Sequence, residues 1–133
     1  MLFEEILEYN LPDVYFNFKK IGLQTQYYLI EWIMTIFTMS LNIDVAARVW
    51  DLYMIEGLKA VYQASISILT IFKSTLQNSD FEICMLTIKG KELFKIDQED
   101  LINHMKKTKL TDSILFDIQK LDDEYIPLYT PNA

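Results

Sequence analysis

Leu41-Asn42-Ile43-Asp44-Val45-Ala46-Ala47-Arg48-Val49-Trp50-Asp51-Leu52-Tyr53-Met54-Ile55-Glu56-Gly57 is the stretch that decides the fold. It reads as a complete helix with its own punctuation. Asn42 is a capping residue, and Asp44 follows in the first turn, where a negative charge complements the helix dipole. Ile43, Ala46, Ala47, Trp50 and Met54 recur at the three-to-four spacing of a helical face, and Val45, Val49 and Leu52 supply a second one. Gly57 marks the stop. The charged stripe is Asp44, Arg48 and Asp51. Arg48 lies one turn from Asp44 and three residues before Asp51, so both carboxylates are within reach of its guanidinium. Trp50 points to the opposite, apolar side, where it reads as core rather than as a binding hot spot.

Working outward, the helical period persists almost throughout. Residues 2–9 alternate Leu2, Phe3, Ile6 and Leu7 with three glutamates. Pro12 suits the first position of a second helix, which Gly22 stops. Residues 25–40 predict one helix that is apolar nearly all round, capped by Thr25 and central to the core. Residues 58–77 give a long apolar stripe. Ser79-Asp80-Phe81-Glu82 has a capping-box pattern opening a helix to about Ile88. Asp97–Lys107 forms another helix, acidic at its start and basic at its end, and Thr111 caps the last. The tail carries Pro127 and Pro131. The expectation is an all-α, right- and left-packed array of about seven helices joined by short loops, with residues 89–96 the hardest to assign.

Composition narrows the function. The chain has 133 residues, 51% of them hydrophobic, with three glycines and three prolines. That is too apolar for disorder and too poor in turn residues for an all-β fold. The net charge of −7 opposes binding to nucleic-acid phosphates or anionic membranes by the chain as a whole. Lys106, Lys107 and Lys109 form a basic cluster too small to offset it. The longest apolar runs, 27–41 and 64–72, fall short of the roughly 20 residues a spanning helix needs. With no secretory start either, the expected setting is cytoplasmic, peripheral to endomembranes at most through a partner.

Enzyme signatures are missing: no phosphate-binding glycine loop, HExxH, CxxC or GxSxG occurs. His104 has no nucleophile at a useful spacing and reads as a surface or half-buried imidazole. Cys84, the single cysteine, lies in an apolar run with no adjacent cation and reads as a small buried hydrophobe. Asp97, Glu99 and Asp100, and the run Asp122-Asp123-Glu124, lack calcium-loop spacing and read as a solvated helix start and a solvated helix end. No metal or cofactor is expected.

Arg48-Val49-Trp50-Asp51, with Trp32 and Phe37 upstream and Glu56-Gly57 downstream, resembles the R-x-W-D block of the TBC domain, the all-helical domain of Rab GTPase-activating proteins. The Trp-x-x-x-x-Phe spacing before it and the long apolar helix after it fit the same order of blocks. The resemblance runs over roughly residues 5–90 and more loosely to 125. One departure is Asn42, where the family usually has proline; both residue types start helices.

The resemblance implies a helical groove that receives a Rab protein. It also implies two catalytic fingers: an arginine in an Ile-x-x-Asp-x-x-Arg block and a glutamine in a Tyr-x-Gln block. In GTPase systems such an arginine is worth roughly 10³–10⁵ in rate. Neither block is present. Arg48 is the only arginine and belongs to R-x-W-D, and Tyr62-Gln63 are adjacent rather than spaced.

In the family both finger blocks precede this region. The expectation is therefore the C-terminal lobe of a TBC domain over residues 1–125, with a short tail at 126–133, inactive alone. Its motif and structural residues are Trp32, Phe37, Asp44, Arg48, Trp50, Asp51 and Gly57, and it has no catalytic residue of its own. A Rab-family GTPase is the implied partner. The alternatives are a non-catalytic helical module that binds a small GTPase or helical partner, and an unrelated bundle with a different helix order. A separated lobe should expose an apolar face or cover it by homodimerising, with Leu2, Phe3, Tyr15 and Phe16 the first candidates.

Overall fold

The computed structural model describes residues 2–125, so the expected tail at 126–133 lies outside the described residues. Nine α-helices occur among them: α1 Leu2–Asn10, α2 Pro12–Ile21, α3 Leu29–Thr35, α4 Ile43–Glu56, α5 Leu58–Ile71, α6 Lys73–Leu76, α7 Phe81–Lys89, α8 Gln98–Lys107 and α9 Asp112–Tyr125. Two 3-10 turns, Thr25–Tyr27 and Lys91–Lys95, precede α3 and follow α7. The described chain is all-α, with two more helices than expected.

α5 is the axis of the array. Its Ala60, Val61, Ala64, Ile66, Ile68 and Leu69 are buried, and α1, α3, α4, α8 and α9 all pack on it. Two buried hydroxyls on it are satisfied locally: Ser65 Oγ donates to the Val61 carbonyl (2.9 Å) and Ser67 Oγ to that of Gln63 (2.7 Å). The expected long helix over 58–77 breaks at Phe72 into α5 and the single turn α6.

Residues 25–40 do not form the expected central helix. α3 ends at Thr35 because Ile36 (φ 43°) and Phe37 (φ 66°) both turn left-handed. The Ile36 N–H then donates to the Ile33 carbonyl and the Phe37 N–H to that of Trp32, closing the helix end. Two consecutive non-glycine residues in this region are unusual, and neither is a residue type that signals a stop. The gain is burial. Trp32, 1% exposed, packs at a tilt between Tyr28 (5.0 Å between ring centroids) and Phe37 (5.9 Å), and Tyr28 contacts Phe3 and Phe18. Thr25 does not cap the segment; its buried hydroxyl donates to Glu4 Oε1 at 3.4 Å.

The other caps follow the sequence more closely. Pro12 begins α2, and Gly22 (φ 73°) closes it. The Asp100 N–H donates to Asp97 Oδ2 (3.2 Å), and the Ile114 N–H to Thr111 Oγ1 (3.2 Å). The capping box at 79–82 is shifted by one residue: Asp80, not Ser79, is the cap, and accepts from the Ile83 N–H (2.9 Å). The Ser79 carbonyl is taken instead by Asn17 Nδ2 (3.0 Å), which also donates to the Leu76 carbonyl (2.6 Å) and ties α2 to the α6–α7 turn.

Candidate interaction surface

α4 begins as its sequence says. The Asp44 N–H donates to Asn42 Oδ1 at 3.0 Å, satisfying one of the free amides of the first turn. Of its two apolar faces, the one that packs on α5 and α8 carries Val45, Ala46 and Val49, with Leu52 and Tyr53 half-buried beside them. The other face is left open. Ile43, Ala47, Trp50 and Met54 fall at i, i+4, i+7 and i+11, which places them in one stripe. Ile43 is 65%, Trp50 45% and Met54 75% exposed, and Ala47 is exposed with them.

This corrects the reading of Trp50 as core. Either face has helical spacing, so periodicity alone does not choose between them. The β-branched Val45 and Val49 and the small Ala46 let α5 approach closely, and that settles the choice. Trp32 and Phe37, by contrast, belong to the core.

The expected ion network is also corrected. Among the described residues no carboxylate oxygen comes within 4.0 Å of the Arg48 guanidinium, although Asp44 and Asp51 share its stripe. All three side chains are exposed. A surface pair of this kind gains only ~0.2–0.5 kcal/mol, which the entropy of fixing two long side chains offsets.

Gly57 has a larger role than stopping a helix. It ends α4 and starts α5 at φ 73°, ψ −152°, a conformation that suits glycine. A Cβ at this position would lie 2.5 Å from Asp122 Oδ2. Asp122 is buried there, and its Oδ1 accepts from the Leu58 N–H at 3.0 Å. The carboxylate from α9 thus caps α5 across the chain, where its charge complements the positive end of the helix dipole. The reading of 122–124 as a solvated helix end is corrected for Asp122. Its one sequence signal is the absence of any local cap beside Leu58.

Cys84 and His104 each lie against backbone carbonyls. Cys84 is fully buried, and its Sγ lies 3.6 Å from the Leu76 carbonyl and 3.7 Å from that of Ser79. Burial, then the nearby Asp80, raises its pKa from 9.0, which disfavours the reactive thiolate. His104 Nδ1 lies 2.8 Å from the Asp100 carbonyl, an acceptor, so this nitrogen carries the proton. The apolar face expected at the N-terminus is mostly absent: Phe3 is buried, Leu2 and Tyr15 are partly buried against the core, and Phe16 is exposed.

The Rab-GTPase-TBC domain family matches residues 1–77, the span that holds Trp32, Phe37, the Arg48-Val49-Trp50-Asp51 block and α5. The chain belongs to that family. Drainin of Dictyostelium discoideum is 34% identical over 111 residues, 84% of this chain and 24% of Drainin. TBC1 domain family member 14 of Homo sapiens is 38% identical over 79 residues, 59% of this chain and 11% of that protein. The Ecotropic viral integration site 5 ortholog of Drosophila melanogaster is 29% identical over 125 residues, 92% of this chain and 15% of that protein. The chain thus spans a quarter or less of the length of these relatives. The TBC family match ends at residue 77, one residue beyond the end of α6, while the alignment with the Drosophila relative covers most of the chain.

Proposed function

We propose that this chain is the C-terminal lobe, residues 1–125, of a Rab GTPase-activating domain, with residues 126–133 a short tail. It contributes the groove that receives a Rab GTPase and does not accelerate hydrolysis alone. What carries the reading is a sequence fact joined to the family match: the one arginine lies inside R-x-W-D, and no Tyr-x-Gln block is present. Stabilising the charge on the transferring phosphoryl group and orienting the attacking water are both left to residues outside this chain. The open stripe Ile43, Trp50 and Met54 supports the same reading, as the face on which a finger-bearing half or a second copy packs.

The test is GTP hydrolysis by a panel of Rab proteins with and without the chain, beside a pull-down with each Rab. The expected result is no acceleration. Acceleration by the chain alone, lost on Arg48→Ala, would make Arg48 a finger and overturn the proposal. Its guanidinium, exposed and without an ion pair among the described residues, makes that variant the decisive one.

A second reading, a non-catalytic module, draws on the same open α4 face. It is distinguished by retained Rab binding with no acceleration even when a finger-bearing half is supplied. No described helix is long and apolar enough to cross a membrane.

A further inference from the structure

Away from α4, a cavity of about 380 Å³ opens where the ends of α1, α5 and α8 meet. Four of its lining residues are basic: Lys73, His104, Lys107 and Lys109. None of its described lining residues is acidic, although acidic residues outnumber basic ones 19 to 12 in the chain. No carboxylate lies within 4.0 Å of the Lys73, Lys107 or Lys109 ammonium among the described residues. Lys107 and Lys109 belong to the short basic cluster after α8, and the fold brings Lys73, at the start of α6, beside them.

Lysines beside helix C-termini ordinarily answer the helix dipole. Here much of that negative end is already occupied. The Ile6 carbonyl accepts from Asn10 Nδ2 (2.9 Å) and that of Leu7 from the Leu11 N–H (2.7 Å). The His104 carbonyl accepts from Thr108 Oγ1 (3.1 Å) and that of Met105 from the Thr108 N–H (3.2 Å). The loop that carries Lys109 is held in place as well. Its N–H donates to Asn10 Oδ1 (2.7 Å), and its carbonyl accepts from Asn10 Nδ2 (2.9 Å). Three ammonium groups remain without a carboxylate within 4.0 Å among the described residues. His104 also lines the cleft; its Nδ1 is engaged with the Asp100 carbonyl and lies 3.9 Å from Asp100 Oδ1, so the three ammonium groups are the anion-binding set.

We propose that this cleft binds a compact polyanion bearing two or more phosphate groups, such as a phosphorylated inositol ring. Several lysines as mobile point charges suit a multiply charged phosphate better than a single carboxylate, which one of them would neutralise. The volume admits a phosphorylated ring and not a folded partner. The same chemistry is offered by a soluble inositol phosphate and by the headgroup of a phosphorylated lipid. The proposal does not depend on GTPase activation and survives the failure of that reading.

The experiment is calorimetric titration of the full chain with soluble inositol trisphosphate, in parallel with flotation on phosphatidylcholine vesicles with and without phosphatidylinositol bisphosphate. Binding in either arm is expected to weaken by about tenfold or more, equal to ~1.4 kcal/mol, in a Lys73→Ala, Lys107→Ala, Lys109→Ala variant. The control Lys91→Ala, Lys95→Ala should change it less than about twofold. Retention of the folded circular-dichroism spectrum in both variants makes the comparison valid, as all five lysines are exposed. Binding in the soluble arm alone identifies a free metabolite, and binding only to the bisphosphate vesicles a lipid headgroup. No binding in either arm, equal binding by the triple variant, or equal loss in the control would overturn the proposal.

Discussion

Trp32 and Trp50 stand on consecutive helices and meet opposite environments. Trp32 lies inside an aromatic chain, and the backbone after it bends left-handed at Ile36 and Phe37 so that Phe37 can close over its ring. Trp50 lies on the outside of α4, whose smaller Val45, Ala46 and Val49 hold the packed face. Where a large ring is buried, the main chain bends to suit it. Where small residues are buried, the helix stays regular and the large ring is left over for something else. A tryptophan is therefore no guide to the core until its neighbours have been placed.

The comparison breaks most sharply under truncation. Trp32→Ala should cost about 3–5 kcal/mol by denaturant unfolding, and Trp50→Ala less than about 1 kcal/mol in the same assay. Equal losses would mean that α4 packs through its other face. Acrylamide quenching of the single-tryptophan variants Trp32→Phe and Trp50→Phe reads the same difference without removing the ring at issue. The fluorophore left at Trp50 should be quenched readily and the one left at Trp32 poorly.

The turns that follow the two helices extend the contrast. Gly57→Ala should destabilise by roughly 2–3 kcal/mol, since it adds backbone strain and overlaps the Asp122 carboxylate. Ile36→Gly relieves a left-handed residue worth ~1–2 kcal/mol while giving up a partly buried side chain and some chain entropy. Its unfolding free energy should stay within about 1 kcal/mol of the parent. A larger loss would show that the Ile36 side chain, rather than the ring after it, holds the bend.

A smaller effect is expected at Arg48. Arg48→Ala should change the unfolding free energy by no more than about 0.5 kcal/mol, because no ion pair among the described residues is lost. A larger, salt-sensitive loss would restore the network with Asp44 and Asp51.

Cys84 provides a pH-dependent check on the interior. Its thiol ionises less readily in the folded chain than in the unfolded one. Its contribution is therefore complete below the ordinary cysteine range near 9.0 and declines as pH rises above it. Thiol labelling of the native chain at neutral pH should be slow, and fast in denaturant.

Much of this was legible beforehand. The limits of α4, the caps at Asn42 and Thr111, the Pro12 start and the Gly22 stop are written in local chemistry, and each is found in place; Asp97, read as the first residue of its helix, is its cap. The order of blocks around Arg48-Val49-Trp50-Asp51 carried the family. What could not be read was anything that depends on a distant partner. The break after Thr35 serves an aromatic contact, so no glycine or proline announces it. The choice between the two faces of α4 is made by α5. Asp122 looks like any acidic helix end until Leu58 is brought beside it, and Lys73 is remote from Lys107 and Lys109 until α5 packs on α8.

The Asp122–Leu58 bond joins residues 64 apart in sequence. During synthesis, α4 and α5 emerge long before the residue that completes the junction between them. Until α9 arrives, the first turn of α5 has a free amide next to a glycine that no side chain can stiffen. The central helix of the array is therefore made midway along the described chain and is among the last to be finished. A polypeptide that stops short of residue 122 keeps every residue of that helix and loses the group that fixes where it begins.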